Sequence, residues 1–359
     1  MPSRRGFLAG LLAVGMAPAA SWADLGTPAF LSAGKTADGS HVLAGLTEVG
    51  EVLFQRDLPA RGHAAAAHPS RPEAVAFARR PGRFADVVDC RSGARLARLE
   101  PPSGHHFYGH GVFTPDGGLL MTTENDFEAG RGVIGLWDAA VGYRRMGSFS
   151  SGGLGPHDML LRMDGPGIIV ANGGIETHPD SGRAKLNIPT MQPNLSYLSF
   201  GGSLDEQVEL GQDLHKNSIR HLAMHADGTV AFAMQWQGDQ GTDVPIVGLH
   251  RFGSAPRLMA EDDPRLRNLA GYGGSVAFSE NGRQVAVTSP RGGLVQVMDT
   301  DSGRISAEHR LADVCGLAPG LGGLISSSGT GRIVQIGYDS VTPLTQAPIA
   351  WDNHLIRLA

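Results

Sequence analysis

The chain has 359 residues, a formal charge of −5, 51 glycines and two cysteines. Mild acidity excludes the basic stripe that a nucleic-acid partner demands. Abundant glycine with sparse charge fits short strands and tight turns better than a helical protein.

In chain order, Ser3-Arg4-Arg5-Gly6-Phe7-Leu8 presents a twin-arginine pair and a large apolar residue, followed by an uncharged apolar run from Ala9 to Ala20. Ser21, Trp22 and Ala23 place small residues at the two positions a signal peptidase reads. Residues 1–23 are therefore predicted to be a twin-arginine (Tat) signal peptide cleaved before Asp24, and residues 24–359 a single domain delivered to the periplasm. That route carries folded proteins, so a cofactor can be inserted before export. No later apolar run approaches the roughly 18–20 residues of a spanning helix, so no membrane span is expected after cleavage.

Ala29 to Leu58 reads as three strands. A repeat of roughly 40 residues then sets in. Its clearest copies are His110–Gly117, His221–Gly228 and Ser275–Gly282, each an alternating strand ending in Asp-Gly or Asn-Gly. That dipeptide is a strong hairpin signal. Second and third strands follow each turn, as in Leu119–Thr123 and Val133–Asp138, and a fourth closes the unit. Four strands per unit is the pattern of a propeller blade. Inner strands begin near His63, His110, His157, His221, Ser275 and Cys315, giving six complete units. The C-terminal segment Asp352–Leu358 resembles the inner strand at His157 and is expected to complete the N-terminal blade. The prediction is an all-β, seven-bladed propeller whose ring closes through that strand and leaves no free edge. Cys90 then falls on an outer turn and Cys315 at the hub, which argues against a disulfide. Two long segments, Ile175–Pro193 and Ala260–Tyr272, are expected to cover one mouth of the channel.

Aligning inner strands on their turns brings His63, His110, His157, His221, Ser275, Cys315 and His354 to one position at the start of the innermost strand. Imidazole and thiolate converging on an axis suit copper, iron or zinc. An anion or organic ligand at the hub is a second reading, and histidines that only satisfy neighbouring strands are a third. Candidates for orienting ligands or contacting a substrate are Glu124, Asn172 and Gln235 at second-strand ends, Asp158 beside His157, and His105, His106 and His178 in flanking loops. Arg83, Arg131, Arg291 and Arg332 recur after the second strands, a candidate anion collar. There is no Gly-Lys-Ser/Thr phosphate loop, no nucleophile elbow and no Cys-x-x-Cys-His, so no nucleotide and no covalent haem are expected.

The runs Gly109–Gly117 with Thr122–Asp126, Gly155–Asp158 with Ala171–Pro179, and Leu186–Leu195 resemble a family of Tat-exported bacterial β-propeller proteins catalogued as a domain of unknown function. The resemblance covers nearly the whole mature chain. Members are often encoded beside imelysin-like, iron-regulated proteins and di-haem oxidoreductase-like proteins, which implies iron or another redox metal and periplasmic iron-uptake or redox partners. It assigns no site residues. The leading expectation is a metal-binding propeller, iron or copper, serving uptake or redox chemistry, with catalysis left open. The competing expectation is a non-catalytic scaffold that binds a partner protein or an anionic ligand.

Overall fold

The computed structural model describes residues 20–79, 83–182, 184–337 and 339–358. The twin-arginine motif and the apolar run to Ala19 lie outside the described residues. The chain forms seven antiparallel sheets of four or five strands arranged as a propeller. The inner strands of blades 2 to 7 are Gly62–Ala67, His105–Phe113, Pro156–Leu161, Asn217–Met224, Ser275–Phe278 and Val314–Gly320. Blade 1 is built from Phe30–Thr36, His41–Leu46 and Val52–Leu58, closed on its inner side by Ile349–Trp351 and Ile356–Arg357. Ring closure by the last strand thus follows the sequence reading.

The middle strands are buried on both faces because each blade is packed between two others. Gly167–Asn172 and Gln284–Ser289 are apolar and β-branched throughout their centres and almost wholly buried. The core consists of layers between adjacent blades. Phe77, Phe107, Phe113 and Trp137 join blades 2 and 3, while Val230, Phe232, Tyr197 and Ile169 join blades 4 and 5. Outer strands such as Leu204–Glu209 alternate towards solvent. The turn glycine Gly117 has a φ of 71°, and a side chain there would collide with the His68 imidazole of the preceding blade. The tight turn and the blade packing therefore both require glycine. Cys90 and Cys315 are buried free thiols.

The inner strands carry a feature invisible in the repeat. Their pairing with the second strand shifts register between Gly62 and Ala65, Phe107 and Gly111, Pro156 and Asp158, Ile219 and His221, and Val314 and Leu317. In blade 1 the chain leaves the sheet after Trp351 and rejoins it at Ile356. Each interruption brackets or adjoins the shared hub position. A bulge frees one residue from strict alternation and re-aims its side chain. The blade 6 pairing, from Ser275 opposite Thr288 to Phe278 opposite Val285, runs in continuous register.

Trp22, placed in the leader by sequence, sits on the propeller. Its indole N–H donates to the His68 carbonyl (2.8 Å), and its ring packs with Leu25 against the blade 1–blade 2 core.

Candidate metal centre

The bulges bring five imidazoles together on the axis. His354, His63, His110, His157 and His221 come from five consecutive blades. Ring centroids lie 4.6 Å apart for His63–His354 and His110–His354, 5.0 Å for His63–His110, 5.1 Å for His110–His157 and 4.8 Å for His157–His221. Two triads, His63/His110/His354 and His110/His157/His221, each bring one nitrogen per ring within 4.8 Å of the others and could hold a metal ion. Ligand bonds near 2.0–2.1 Å need nitrogens separated by roughly 3–4 Å, so small rotamer adjustments complete either site. Gly109 precedes the central histidine with φ 108°, and a Cβ there would strike the His63 ring. Only glycine lets His63 and His110 approach this closely.

Four of the five rings, His63, His110, His221 and His354, are buried, and His157 is half-buried. Burial pushes His221 down to about 3 and His63, His157 and His354 well below the ordinary imidazole range, with repulsion from neighbouring rings adding to it. Neutral imidazole is the ligating form. The buried nitrogens His63 Nδ1, His110 Nε2, His221 Nδ1 and His354 Nε2 have no hydrogen-bond partner. Several orphaned acceptors or donors in one buried place are costly unless something occupies the space between them.

Asp158 fixes the central ring. Its Oδ1 lies 2.9 Å from His110 Nδ1 and also accepts from the Met159 amide (2.8 Å), while Oδ2 accepts from the Leu222 amide (3.0 Å). Burial pushes the carboxyl up, but the charge and hydrogen bond of His110, with His221 and the Leu222 amide, outweigh that and hold it below the usual range. A carboxylate that orients a histidine through Nδ1 leaves Nε2 free for a metal.

The ring separates two spaces. Above it lies a vestibule of about 280 Å³ reached by His63, His157 and His221. Below it lies a cavity of about 550 Å³ whose walls include Ala66, Val112, Leu160, Val276 and Leu317. Ile175, Thr177 and Lys185 from the long insertion and Tyr272 from the second long segment line the vestibule. Within that second segment Leu266 and Leu269 are buried in the core, while Glu261, Asp262, Pro264 and Arg267 are exposed.

The profile of the DUF1513 family, described as a protein of unknown function, matches residues 56–358. The chain belongs to the DUF1513 family. No curated protein matches its sequence. Among solved structures it is similar to Kuenenia stuttgartiensis hydrazine synthase, with 14% identity, TM-score 0.58, and 86% of this chain and 90% of that chain covered. The β-propeller domain of Myceliophteria thermophila Cps50 (Swd1) has 11% identity, TM-score 0.59, and coverage of 85% and 91%. KlHsv2 with loop 6CD replaced by a Gly-Ser linker has 9% identity, TM-score 0.52, and coverage of 85% and 91%. At these identities the likeness shows the propeller fold alone.

The remaining candidates of this DUF1513 chain are dispersed. Cys315 shares the hub register but belongs to neither triad; its thiol donates to the Asp313 carbonyl (3.2 Å), and burial raises it to about 12, so it is a thiol and not a thiolate. Glu124 turns into blade 3, where Arg145 grips both its oxygens (2.7 and 2.9 Å) and Thr122 donates to it (2.9 Å). His105 contacts that same carboxylate (3.4 Å). Asn172 ties Ser151 to Asn194 inside blade 4. His106 packs between Tyr108 and Phe127, and His178 lies against Phe127 and caps a short 3-10 turn. Gln235 reaches the vestibule and donates to the Gly273 carbonyl (3.2 Å).

Of the four collar arginines, Arg291 lies beside the vestibule. Arg83 bonds the His105 carbonyl, Arg131 pairs with Asp126, Arg332 is exposed, and Arg291 lies over the Tyr272 ring. The cations lining the vestibule are Arg79, Arg220 and Lys185. Arg220 immediately precedes His221, and Arg79 follows a second strand; no other blade carries arginine at either position, so no periodic signal marks them.

Proposed function

We propose that this protein is a periplasmic metal-binding propeller that holds one iron or copper ion in its histidine ring and serves metal uptake or redox chemistry. The observation that carries the reading is His110: Asp158 holds Nδ1, Nε2 is buried and unpaired, and the residue belongs to both triads. A ring that served only to bind neighbouring strands would use its nitrogens within the protein. An all-imidazole donor set suits copper, iron, zinc and nickel, and iron or copper fits the family resemblance described above. A bound ion would supply Lewis acidity or an electron-transfer centre. The protein's own groups orient His110 and bury His63, His110, His221 and His354. Export by the twin-arginine route and periplasmic uptake or redox partners belong to the same proposal, supported by the sequence motif at Arg4 and Arg5.

Elemental analysis of the exported protein, purified without chelators or a histidine tag, tests this. Near-stoichiometric iron or copper, lost in a His110→Ala, His157→Ala variant that stays folded, supports it. Metal-free protein from metal-replete cells would overturn it and favour the scaffold reading.

A further inference from the structure

Charge at the vestibule is one-sided. Arg79 and Arg220 line it together with Lys185, and no aspartate or glutamate is among its described lining residues. Two carboxylates flank this space, Asp352 and Asp158. Asp352 receives both Arg61 (2.6 Å) and Arg79 (3.0 Å), which leaves that trio with a net positive charge. Asp158 is tied to His110 and faces the lower cavity. Both guanidinium groups act on the ring: Arg220 on His157 and His221, and Arg79 on His63, His221 and His354. Lys185 is exposed on the rim, yet partial burial together with Arg220 and Arg291 pushes its ammonium down. The floor beneath these cations is His63 and His221, both buried and each with an unpaired Nδ1. Neutral imidazoles add no negative charge to offset a bound cation. An ion in the ring would stand below these three cationic side chains, a lining that suits an anion between them.

We propose that the vestibule binds a small oxyanion-bearing molecule, a carboxylate or a phosphate, whose anionic end is clasped by Arg220, Arg79 and Lys185 and whose near end meets the ion in the ring. The inference rests on the metal reading of the same site and adds its ligand class. Arg220 and Arg79 supply planar forks suited to paired oxygens, and Lys185 adds a mobile point charge at the entrance. Tyr108, Thr177, Gln235 and Asn353 line the same space and offer neutral polar groups to a ligand that carries hydroxyls besides its charge. The size of the vestibule limits the ligand to a small metabolite.

The experiment is calorimetric titration of citrate and of inorganic phosphate into metal-loaded and chelator-stripped protein, with glycerol as the uncharged control. Wild-type, Arg220→Gln and Lys185→Gln proteins are compared, and metal content is measured in each. Citrate or phosphate should bind the metal-loaded protein, and glycerol should not. Affinity should fall about tenfold or more in Arg220→Gln, less in Lys185→Gln, and in the chelated protein, while metal content of both variants stays at the wild-type level. The relative strength of citrate and phosphate distinguishes a carboxylate from a phosphate source. Metal-loaded protein that binds neither anion at millimolar concentration overturns the inference and leaves the metal reading standing. Binding unchanged in both variants also overturns it. Protein that takes up no metal, yet binds phosphate through Arg220, overturns the metal reading and the bridging arrangement together.

Discussion

Three buried histidines of the ring make a demand on acid stability. His63, His221 and His354 are buried, and their folded-state pKa values lie far below those of the free side chain, with His221 at about 3. Below about pH 6.5 the unfolded chain binds protons on these rings and the folded chain does not. Their contribution is therefore fully present above that pH and is lost as pH falls towards the folded-state values. At about pH 5.5 each ring costs about 1.4 kcal/mol relative to about pH 7.5, and the three together cost about 4 kcal/mol. His157, only half-buried beside the vestibule, is left out of that sum. Ordinary carboxylates remain ionised across this window, so the histidines dominate it. Urea unfolding of chelator-stripped protein at the two pH values should show a midpoint lower by about 1 M at the acidic one. A His63→Gln, His221→Gln, His354→Gln variant should lose most of that difference. An unchanged midpoint in the wild type, or an equal shift in the variant, would refute a neutral buried ring.

Two substitutions separate the site from its scaffold. Asp158→Asn removes the charge that orients His110 while retaining an acceptor for the Leu222 amide; metal affinity, measured by competition with a chromophoric chelator, should drop about 10- to 100-fold with the circular dichroism spectrum intact. Glu124→Ala strands the mostly buried Arg145 guanidinium (side chain 19% exposed) and should lower stability by about 3 kcal/mol. Its metal content should match wild type, because Glu124 touches no ring histidine; metal loss in folded Glu124→Ala protein would contradict this placement.

The periodic part of the sequence made the fold readable. Turn dipeptides such as Asp116-Gly117 and Asn281-Gly282 mark hairpins locally, and the inner strands follow from their spacing. The hub register was legible for the same reason, since one position recurs in every blade. What it could not convey was direction. Strict alternation would not by itself aim His110 or His157 at the axis; the bulges do that, and a bulge depends on pairing with a distant strand. Polar residues at second-strand ends have no such device. Glu124 and Asn172 therefore turn into their own blades, towards Arg145 and Ser151, partners whose proximity no spacing rule reveals. Asp158 reads as a neighbour of His157, yet its oxygen serves His110 in the adjacent blade. The cations at the vestibule were illegible because each occurs once.

The arrangement of the five histidines points to one ion with a pivot. They occupy blades 1 to 5, His110 stands in the middle, and blades 6 and 7 carry Ser275 and Cys315 at the same position. Ser275 Oγ accepts from the Leu317 amide (3.2 Å), and the Cys315 thiol is spent on Asp313. These small side chains place no imidazole on that side of the ring. Because Nδ1 of His110 is held by Asp158, the ring offers the two triads a single shared nitrogen, and one nitrogen cannot ligate two ions. The triads must compete for one ion. Losing His354 or His221 removes a donor from one triad and spares the other, so His354→Ala and His221→Ala should each retain an ion with reduced affinity. Losing His110 disables both, so His110→Ala should bind far more weakly than either. Elemental analysis and chelator competition on the three variants decide the matter. Two ions per wild-type chain, or His110→Ala protein that binds as well as His354→Ala, would show that His110 is not the shared ligand.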